Sequence, residues 1–487
     1  DEDAWLEFWH HPPSPADLAK ALAALPDAFD LDGDGPRFLQ DATAADFADD
    51  KTVNAVEALL IDAAGGQTAK LNKDLFVKRD RVVRMGRPAA AMALLALQTY
   101  APSGGQGHRT SMRGGGPLVT LIEPRTNAEG GSLADREPLW RKIWANAETV
   151  DEWRERGPDT ADADDKMIFP WLAPTRTSDP KNKGKTTTEM DGHPLQAYFG
   201  MPRRIRLDFE AEPAVCDLTE KKDGVSIRQY RTRNYGIEYD GWHHPLTPYY
   251  QDKKTQQLLP VHGQARGISW RDWAGVLFDS NETGSRIAQT VRHFLLNRAK
   301  AIGVRKPRLH VFGYDMDNMK ARGWIDAELP AFAVETKKDA EKLARIAEDL
   351  TKAARIASDI VLYAVKSARF ANPKEAKGDF SVVKARFWAQ SEADFFKAVK
   401  TAFDGKERAE ILKAFLRPLT RTAEDVFAEF CPMEGLEFVD VRRLVAARYG
   451  LGSALHGYGK MGGRLFEALA LPPPEKKAKK GKKETAA

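Results

Sequence analysis

The stretch Thr336–Ile360, TKKDAEKLARIAEDLTKAARIASDI, divides this sequence into two parts of different character. A threonine followed three residues later by Asp339 is typical of a helix N-terminus. Behind this pair, apolar residues recur at spacings of three and four, which is the repeat of one face of an α-helix. They are Leu343, Ile346, Leu350, Ala353, Ile356 and Ile360. The stretch therefore predicts one long amphipathic helix.

Further helical segments follow this one, and short breaks such as Asp404-Gly405 and Cys431-Pro432 separate them. Glycine and proline at these places favour the ends of helices. We therefore expect residues 331–471 to form a C-terminal all-α domain, a four-helix bundle. The remaining predicted helical segments are residues 391–403, 406–416, 422–430 and 437–449.

Residues 1–330 lack this regularity and mix short helical patterns, short β-rich runs and turns. The β-rich runs are Leu118–Ile122, Arg204–Phe209 and Leu309–Phe312. Such a mixture predicts a large N-terminal domain with short sheets. The expected fold class is α+β, with the mixed domain first and the helical bundle after it.

The net charge of the chain comes from its C-terminal end. The 487 residues include 74 Lys and Arg against 70 Asp and Glu, which gives +4. Residues 472–487 contain six lysines and two glutamates, so they account for the whole excess. Such a segment is typical of a disordered tail. Because the rest of the chain is neutral, it would bind a polyanion through local clusters of cations.

A glycine-rich segment, residues 101–117, lies between the apolar run 89–97 and the β-rich run that begins at Leu118. Six of its seventeen residues are glycine, and glycine lets a backbone approach a bulky anionic ligand closely. A nucleotide-binding P-loop also requires Lys-Ser or Lys-Thr after its glycines, and this segment has neither. A phosphate- or nucleotide-binding metabolic enzyme stays the alternative to a site for a polymeric anion.

The sequence shows no pattern typical of catalysis or of metal binding. Cys216 and Cys431 belong to no CxxC pair, and the paired histidines His10-His11 and His243-His244 are adjacent rather than four residues apart. We expect two buried cysteines, no metal and no cofactor. No apolar run is long enough to span a membrane, which favours a cytoplasmic protein without a membrane partner.

A second cluster of cations falls in residues 70–87, where seven Lys and Arg stand against two Asp. Phe76 and Val77 lie in its middle. An aromatic ring among cations is typical of an arm that contacts nucleic acid. A charged loop without a ligand is the alternative.

Four stretches, taken in order, resemble the large subunit of the type I-E CRISPR Cascade complex, the CasA family. They are APSGGQGHRTSMRGGGP at residues 101–117, HPLQAYFGMPRRIRL at 193–207, FGYDMDNMKARGW at 312–324 and FWAQSEADFF at 387–396. The resemblance spans nearly the whole chain. It implies a non-catalytic protein that recognises the short protospacer-adjacent motif (PAM) of double-stranded DNA and starts strand separation for pairing with the guide RNA, the crRNA.

The resemblance also implies which residues meet nucleic acid. The minor groove of the PAM is expected to face the glycine loop, Ser103, Gly104, Gly105, Gln106 and Gly107, together with Lys254 and Arg233. A wedge that separates the strands falls on Asp317 and Asn318, with Asn318 as the inserting residue. The crRNA is expected at Phe76, Val77, Lys78 and Arg79, and the DNA backbone at Arg109, Arg113, Lys253 and Lys320.

The implied partners are target double-stranded DNA, the crRNA and the other Cascade subunits: the backbone, handle-binding, small and crRNA-processing subunits. The family also recruits the Cas helicase-nuclease once an R-loop has formed. In this picture the protein reads only the duplex entrance, because base pairing reads the rest of the target.

Overall fold

Two compact units make up the protein in the computed structural model. The first comprises Asp1–Ile268 and Gly275–Ala333, and the second comprises Ser269–Ala274 and Val334–Ala487. The first unit mixes helices with short sheets and the second is helical, so the predicted α+β fold class is confirmed. The described residues are 1–43, 47, 52–74, 79–102, 104–105, 107–125, 137–158, 164–317, 320–432 and 440–474.

Within its described residues, the first unit contains three antiparallel sheets of three strands each. In order across the sheet, the strands of the first are Val53–Ala55, Ser226–Arg233 and Arg204–Glu210. Those of the second are Leu258–Pro260, Tyr249–Gln251 and Ser285–Arg286. Those of the third are Lys320–Pro330, Arg308–Asp317 and Val119–Glu123. Two further pairs are Thr186–Thr187 with Glu238–Tyr239 and Ala214–Val215 with Lys222–Asp223.

The three strands predicted from the sequence are all present, and the N-terminal end of each lies within two residues of its predicted position. The last of them is longer than predicted and covers Arg308–Asp317. It extends because it pairs along its length with Lys320–Pro330, and together they form a long antiparallel hairpin, called here the long hairpin.

One apolar core supports the sheet that contains Arg204–Glu210. In this strand Ile205 and Leu207 alternate with charged residues, so both apolar side chains lie on one face and are buried. They pack in the same core as Trp171 and as Leu94 of the helix Arg87–Tyr100. The other α-helices of this part of the chain are Glu2–His10, Pro15–Leu22, Gly66–Lys70, Leu139–Trp144, Val150–Arg154, Asp165–Ile168, Trp273–Leu277, Gln289–His293 and Ala299–Ala301.

The helical unit is built on the long helix predicted from Thr336–Ile360. It covers Lys337–Arg369, and the Thr336 hydroxyl accepts a hydrogen bond from the Asp339 amide at 3.2 Å, which caps its N-terminus. The apolar face of this helix is buried against the other helices. They are Ser381–Phe403, Arg408–Phe430, Val441–Leu455 and Gly459–Ala468.

The sequence predicted two helices, at residues 406–416 and 422–430, where the structure has the single helix Arg408–Phe430. Pro418 lies inside it and cannot donate a backbone hydrogen bond. The apolar face continues through Leu419, which is fully buried. Burial of this continuous face outweighs the lost hydrogen bond, so the predicted break is wrong.

A short segment from the middle of the sequence completes the core of the helical unit. Trp270 stacks on Phe395 with ring centroids 4.4 Å apart, and its Nε1 donates to the Trp388 carbonyl at 2.8 Å. Trp273 contacts the edge of the same phenylalanine at 5.8 Å. Both indoles are fully buried, so Ser269–Ala274 is part of this core although the sequence analysis placed it in the N-terminal domain.

Replacing Phe395 by alanine should destabilise the helical unit by about 3–5 kcal/mol, because the change removes a buried ring and leaves a cavity between two indoles. Equilibrium urea unfolding, followed by circular dichroism, measures the loss. Tyr449→Ala is the matched control, since this side chain is 80% exposed, and its effect should stay within about 0.5 kcal/mol. Equal effects of the two variants would contradict the packing described.

A buried ion cluster ties the first helix to the body of the first unit. Arg298 is fully buried and donates to Glu152 at 2.7 Å and to Glu2 at 3.1 Å. The His293 ring lies 2.8 Å from the same Glu152 carboxylate. Burial opposes ionisation of Glu152, but the hydrogen bonds from His293 and Arg298 outweigh burial and lower the pKa of Glu152 to about 2.

This cluster predicts a loss of stability in acid. Glu152 has an ordinary pKa of 4.5 when unfolded and about 2 when folded, so the unfolded state binds the proton more readily. Its contribution to the free energy of unfolding is therefore complete above pH 4.5 and is lost as the pH falls towards 2. Urea midpoints measured between pH 7 and 2.5 should fall less steeply in Glu152→Gln, which is also less stable at pH 7. Parallel pH profiles would refute the assignment.

Candidate nucleic-acid interface

The glycine loop ends in an exposed turn. The Gly104 amide donates to the His108 carbonyl and the His108 amide donates to the Gly105 carbonyl, both at 3.3 Å. Gly105 has φ +95° and is exposed, and a Cβ added to it would meet no atom within 4 Å. A bare, accessible peptide is therefore presented at Gly105. Ser103 and Gln106 lie outside the described residues.

The far end of the glycine loop is held by the segment that follows the strand Ser226–Arg233. The Tyr235 amide donates to the Gly107 carbonyl at 2.6 Å, and a Cβ on Gly107 would lie 2.6 Å from the Asn234 Cβ. Glycine is required at position 107 both for this approach and for its φ of +78°. Arg233, the last residue of this strand, directly precedes Asn234 in the sequence.

Three glycines let three backbone segments pack directly on one another. A Cβ on Gly116 would lie 2.6 Å from the Tyr314 carbonyl oxygen, and one on Gly263 would lie 2.5 Å from the same oxygen. A Cβ on Gly313 would lie 2.6 Å from the Pro117 carbonyl oxygen. Gly116, Gly263 and Gly313 are called here the glycine junction. It joins the end of the glycine-rich segment to the long hairpin.

Two of the three lysines predicted to contact DNA lie on a hairpin that leads into this junction. Lys253 and Lys254 are exposed in residues 252–257, called here the lysine turn. The Asp252 carboxylate accepts hydrogen bonds from the Lys254 amide at 3.0 Å and the Thr255 amide at 2.8 Å, which fixes the turn. The hydrogen bonds from Thr255 lower the pKa of Asp252.

The hairpin of the lysine turn is bonded to the glycine-rich segment. The Leu118 amide donates to the Val261 carbonyl at 2.9 Å, and Pro117 forms an isolated β-bridge with His262. A Cβ on Gly114 would lie 2.7 Å from His262 Nε2. The lysine turn and the glycine loop therefore extend from one packed region.

The predicted wedge lies at the tip of the long hairpin. Asp317 and Lys320 are register partners at the last pair of the ladder, and both are exposed. Asn318, the predicted inserting residue, lies outside the described residues. Below the tip, Arg322 donates to Asp315 at 2.7 and 2.8 Å and lies 3.8 Å from the Asp317 carboxylate. A cation therefore offsets the negative charge of Asp317.

An exposed tryptophan on the long hairpin was not found from the sequence. Trp324 is the register partner of Tyr314, with ring centroids 4.8 Å apart, and it is 47% exposed. Tyr100, the last residue before the glycine-rich segment, contacts it at 5.9 Å, and Phe312 contacts it at 5.6 Å. The sequence contains these aromatic residues, but only the strand register shows that they share one face.

Two arginines predicted to contact the DNA backbone are engaged within the fold. Arg109 donates to the Ser178 hydroxyl at 2.8 Å and lies 2.9 Å from the Glu238 carboxylate. Arg113 is buried and donates to the Thr247 hydroxyl at 2.9 Å, and burial lowers its pKa. Both cations hold the glycine-rich segment in place, so neither is part of the surface proposed below.

The residues predicted to contact the crRNA are only partly described. Phe76, Val77 and Lys78 lie outside the described residues. Arg79 is described, and its guanidinium is held by Asp74 at 2.7 Å, by the Asn72 side chain at 3.0 Å and by the Ala69 carbonyl at 2.7 Å. These bonds join Arg79 to residues 69–74, so its charge is compensated within the fold.

The described part of the chain offers no arrangement for a bound metal. Within it, no group of three or more His, Cys, Asp or Glu side chains is placed to hold an ion. Cys216 and Cys431 are both buried, as the sequence analysis expected, and neither forms a disulfide. No helix among the described residues is long and apolar enough to cross a membrane.

The features above define a protein with exposed projections around one packed junction: a bare glycine turn, a lysine turn and a hairpin tip. Projections of this kind suit a large ligand that is met at the surface. The family model of CRISPR-associated protein Cse1 matches residues 1–426. The chain therefore belongs to the Cse1 family, the CasA-type large subunits of the type I-E Cascade complex, and the resemblance found in the sequence is confirmed.

Solved structures share this fold at low sequence identity. Thermobifida fusca Cse1 is 17% identical with a TM-score of 0.67, and the match covers 96% of this chain and 86% of that one. Acidimicrobium ferrooxidans Cse1 is 15% identical with a TM-score of 0.62, over 96% and 86%. A chain of a CRISPR RNA-guided surveillance complex is 17% identical with a TM-score of 0.56, over 91% and 83%. A search of curated proteins gave no match.

Gly313→Ala should destabilise the first unit by about 1–3 kcal/mol, because the added methyl group would meet the Pro117 carbonyl in a region without space. Gly323 lies on the partner strand of the same hairpin, and a Cβ there would meet nothing within 4 Å. Gly323→Ala is therefore the matched control and should leave stability unchanged or slightly raised. Urea unfolding of both variants checks the prediction, and a harmless Gly313→Ala would show that the junction is not tight.

Proposed function

We propose that this chain recognises the PAM of double-stranded DNA for a type I-E Cascade complex in the cytoplasm, and that it is not an enzyme. Family membership supports the assignment to a Cascade complex, and the glycine junction is the observation that supports the proposed DNA-binding site. At the junction, the glycine-rich segment, the hairpin of the lysine turn and the long hairpin pack on one another. A fixed arrangement of three projections can meet one duplex at several points.

The proposed contacts follow from the chemistry of each projection. The exposed peptide of the glycine loop enters the minor groove, where a bare backbone can approach the base edges without demanding a single base pair. Lys254 and Arg233 accompany it in the groove, and Lys253 and Lys320 contact phosphates. Because Lys253, Lys254 and Lys320 are exposed, they can reach a ligand without unfolding a neighbour.

The hairpin tip acts as the wedge in this proposal. Asp317 lies at the end of a long antiparallel ladder, which supports the tip as it enters the duplex. Asn318 follows it in the sequence. Unstacking one base step costs a few kcal/mol, and binding at the other projections offsets that cost. The crRNA then pairs with the separated strand, so the protein needs no further base contacts.

The proposed partners are target double-stranded DNA and the crRNA, which meets residues 76–79. The backbone, handle-binding, small and crRNA-processing subunits complete the complex, and the Cas helicase-nuclease joins after R-loop formation. Family membership supports these partners, as do the matches to chains of CRISPR RNA-guided surveillance complexes.

The phosphate-binding enzyme considered from the sequence is less well supported. A P-loop places its phosphate at the N-terminus of the helix that follows it. Here the glycine-rich segment follows the helix Arg87–Tyr100 and leads into the strand Val119–Glu123. It therefore does not lead into a helix N-terminus that could stabilise a bound phosphate. We therefore do not propose it.

Gly105→Asp should weaken PAM-dependent capture of duplex DNA by the assembled complex about tenfold or more, because a carboxylate would face phosphates. Gly33→Asp is the matched control: Gly33 is also exposed, has φ +126° and has no atom within 4 Å of its Cβ position. Binding of a single-stranded target should be unchanged in both. Unchanged capture of PAM duplexes by Gly105→Asp, in a mobility-shift titration, would contradict the proposed site.

Asn318→Ala should slow strand separation more than it weakens initial duplex binding, because the side chain acts after the PAM is engaged. Permanganate reactivity of thymines next to the PAM measures opening, and a titration of a PAM duplex too short to open measures binding. A pre-opened bubble next to the PAM should rescue the variant. Equal opening by the variant and the parent protein would remove Asn318 from the wedge.

A further inference from the structure

Arg203 is a largely buried cation that the described part of the fold leaves without a carboxylate. Its Nη2 donates to the Pro102 carbonyl, and its Nε is buried without a hydrogen-bond partner. Burial lowers the pKa of Arg203 to about 10; the Tyr230 phenol opposes that shift, and no carboxylate of the described residues does. The guanidinium is still charged at neutral pH.

The neighbouring arginine shows what the fold does with a buried cation that has only a structural role. Arg204 is buried and its Nε lies 2.5 Å from the fully buried carboxylate of Asp41. Taking a charge out of water is costly unless an opposite charge compensates it. No carboxylate of the described residues compensates Arg203 in this way, which favours an anion supplied by a ligand.

The guanidinium of Arg203 lies directly beneath the exposed turn of the glycine loop. A Cβ on Gly104 would lie 2.7 Å from Nη1 and 3.2 Å from Nη2 of Arg203. The absence of a side chain at position 104 therefore puts the cation in contact with the backbone of the turn. Gly104 and Gly105 are both exposed, so a ligand resting on their peptides comes within the field of this charge.

His108, on the same turn, also senses this cation. Burial and the charge of Arg203 together lower the pKa of His108, so the histidine is neutral at neutral pH and does not add to the charge. The positive charge beneath the turn therefore comes from Arg203 and not from His108.

We propose that the exposed Gly104–Gly105 peptides and the Arg203 guanidinium beneath them form one site for a phosphodiester group of the DNA backbone. Arg203 supplies the positive charge, and the glycines let the phosphate oxygens approach it. This inference rests on the proposed function and adds to it a phosphate anchor inside the glycine loop. A phosphate held there fixes the register of the loop on the duplex without reading a base.

The test compares four variants in the assembled complex, with PAM duplex titrated over a range of salt concentrations. Arg203→Met removes the charge at similar volume, and Arg203→Gln removes it while keeping a donor for the Pro102 carbonyl. Arg203→Lys restores the charge. Lys413→Met, at an exposed position of the helical unit, is the control for loss of one positive charge. Unfolding midpoints of the four chains show which of them keep the fold.

Loss of one phosphate contact lowers the slope of log affinity against log salt by about one. We expect this decrease in Arg203→Met and Arg203→Gln, with no decrease in Arg203→Lys and Lys413→Met. Slopes equal to that of the parent complex in both uncharged variants would overturn the inference. PAM-dependent binding by the parent complex would still support the proposed function in that case.

A second arm uses the full chain alone, with inorganic phosphate and ATP as probes in a thermal-shift titration. Weak protection by both probes, lost in Arg203→Gln, is expected for a site that takes one phosphate group of a polymer. Selective micromolar protection by ATP that depends on Arg203, with an unchanged duplex salt slope, would overturn the inference in favour of a nucleotide site. Failure of the parent complex to distinguish PAM duplexes would remove the proposed function while leaving the phosphate arm interpretable.

Discussion

Direct backbone contact at the glycine junction is the constraint on which the candidate site depends. Gly116, Gly263 and Gly313 come from three separate parts of the chain, and at each of them even a methyl group would strike a carbonyl oxygen. Close-packed regions have no space to absorb such a change. The glycine loop, the lysine turn and the hairpin tip therefore all extend from one closely packed region. Because that region brings their bases together, each projection can be short.

The fold class, the long helix and three strands could be predicted because each has a local cause in the sequence: a helical repeat, a cap at Thr336, or a run of β-formers. The single helix through Pro418 could not, because burial of its apolar face is a tertiary effect. The glycine-rich segment was found as a bare stretch of backbone. The reasons for Gly104, Gly107 and Gly116 were not visible, since their partner atoms belong to Arg203, Asn234 and Tyr314.

Charge was the least predictable part of the site. Arg109, Arg113 and Arg203 look alike in the sequence, but the structure gives their guanidinium groups different partners. Arg109 has a carboxylate and a hydroxyl, Arg113 has a hydroxyl in the interior, and Arg203 has a backbone carbonyl among the described residues. Outside its lysine-rich end the chain is neutral, so ion pairs within the fold can compensate most of its cations. The informative cations are then those whose charge the fold does not compensate, and these can be recognised only when carboxylates are placed in space.

Inclusion of Ser269–Ala274 in the helical unit determines how the protein can be divided into fragments. A fragment that ends before Val334 would contain Trp270 and Trp273 without Phe395, and two large indoles would face water. Exposed aromatic surface of this size favours aggregation. During synthesis on the ribosome the same two residues emerge well before their partners. Burial of this tryptophan pair therefore cannot begin until the helix Ser381–Phe403 has left the exit tunnel.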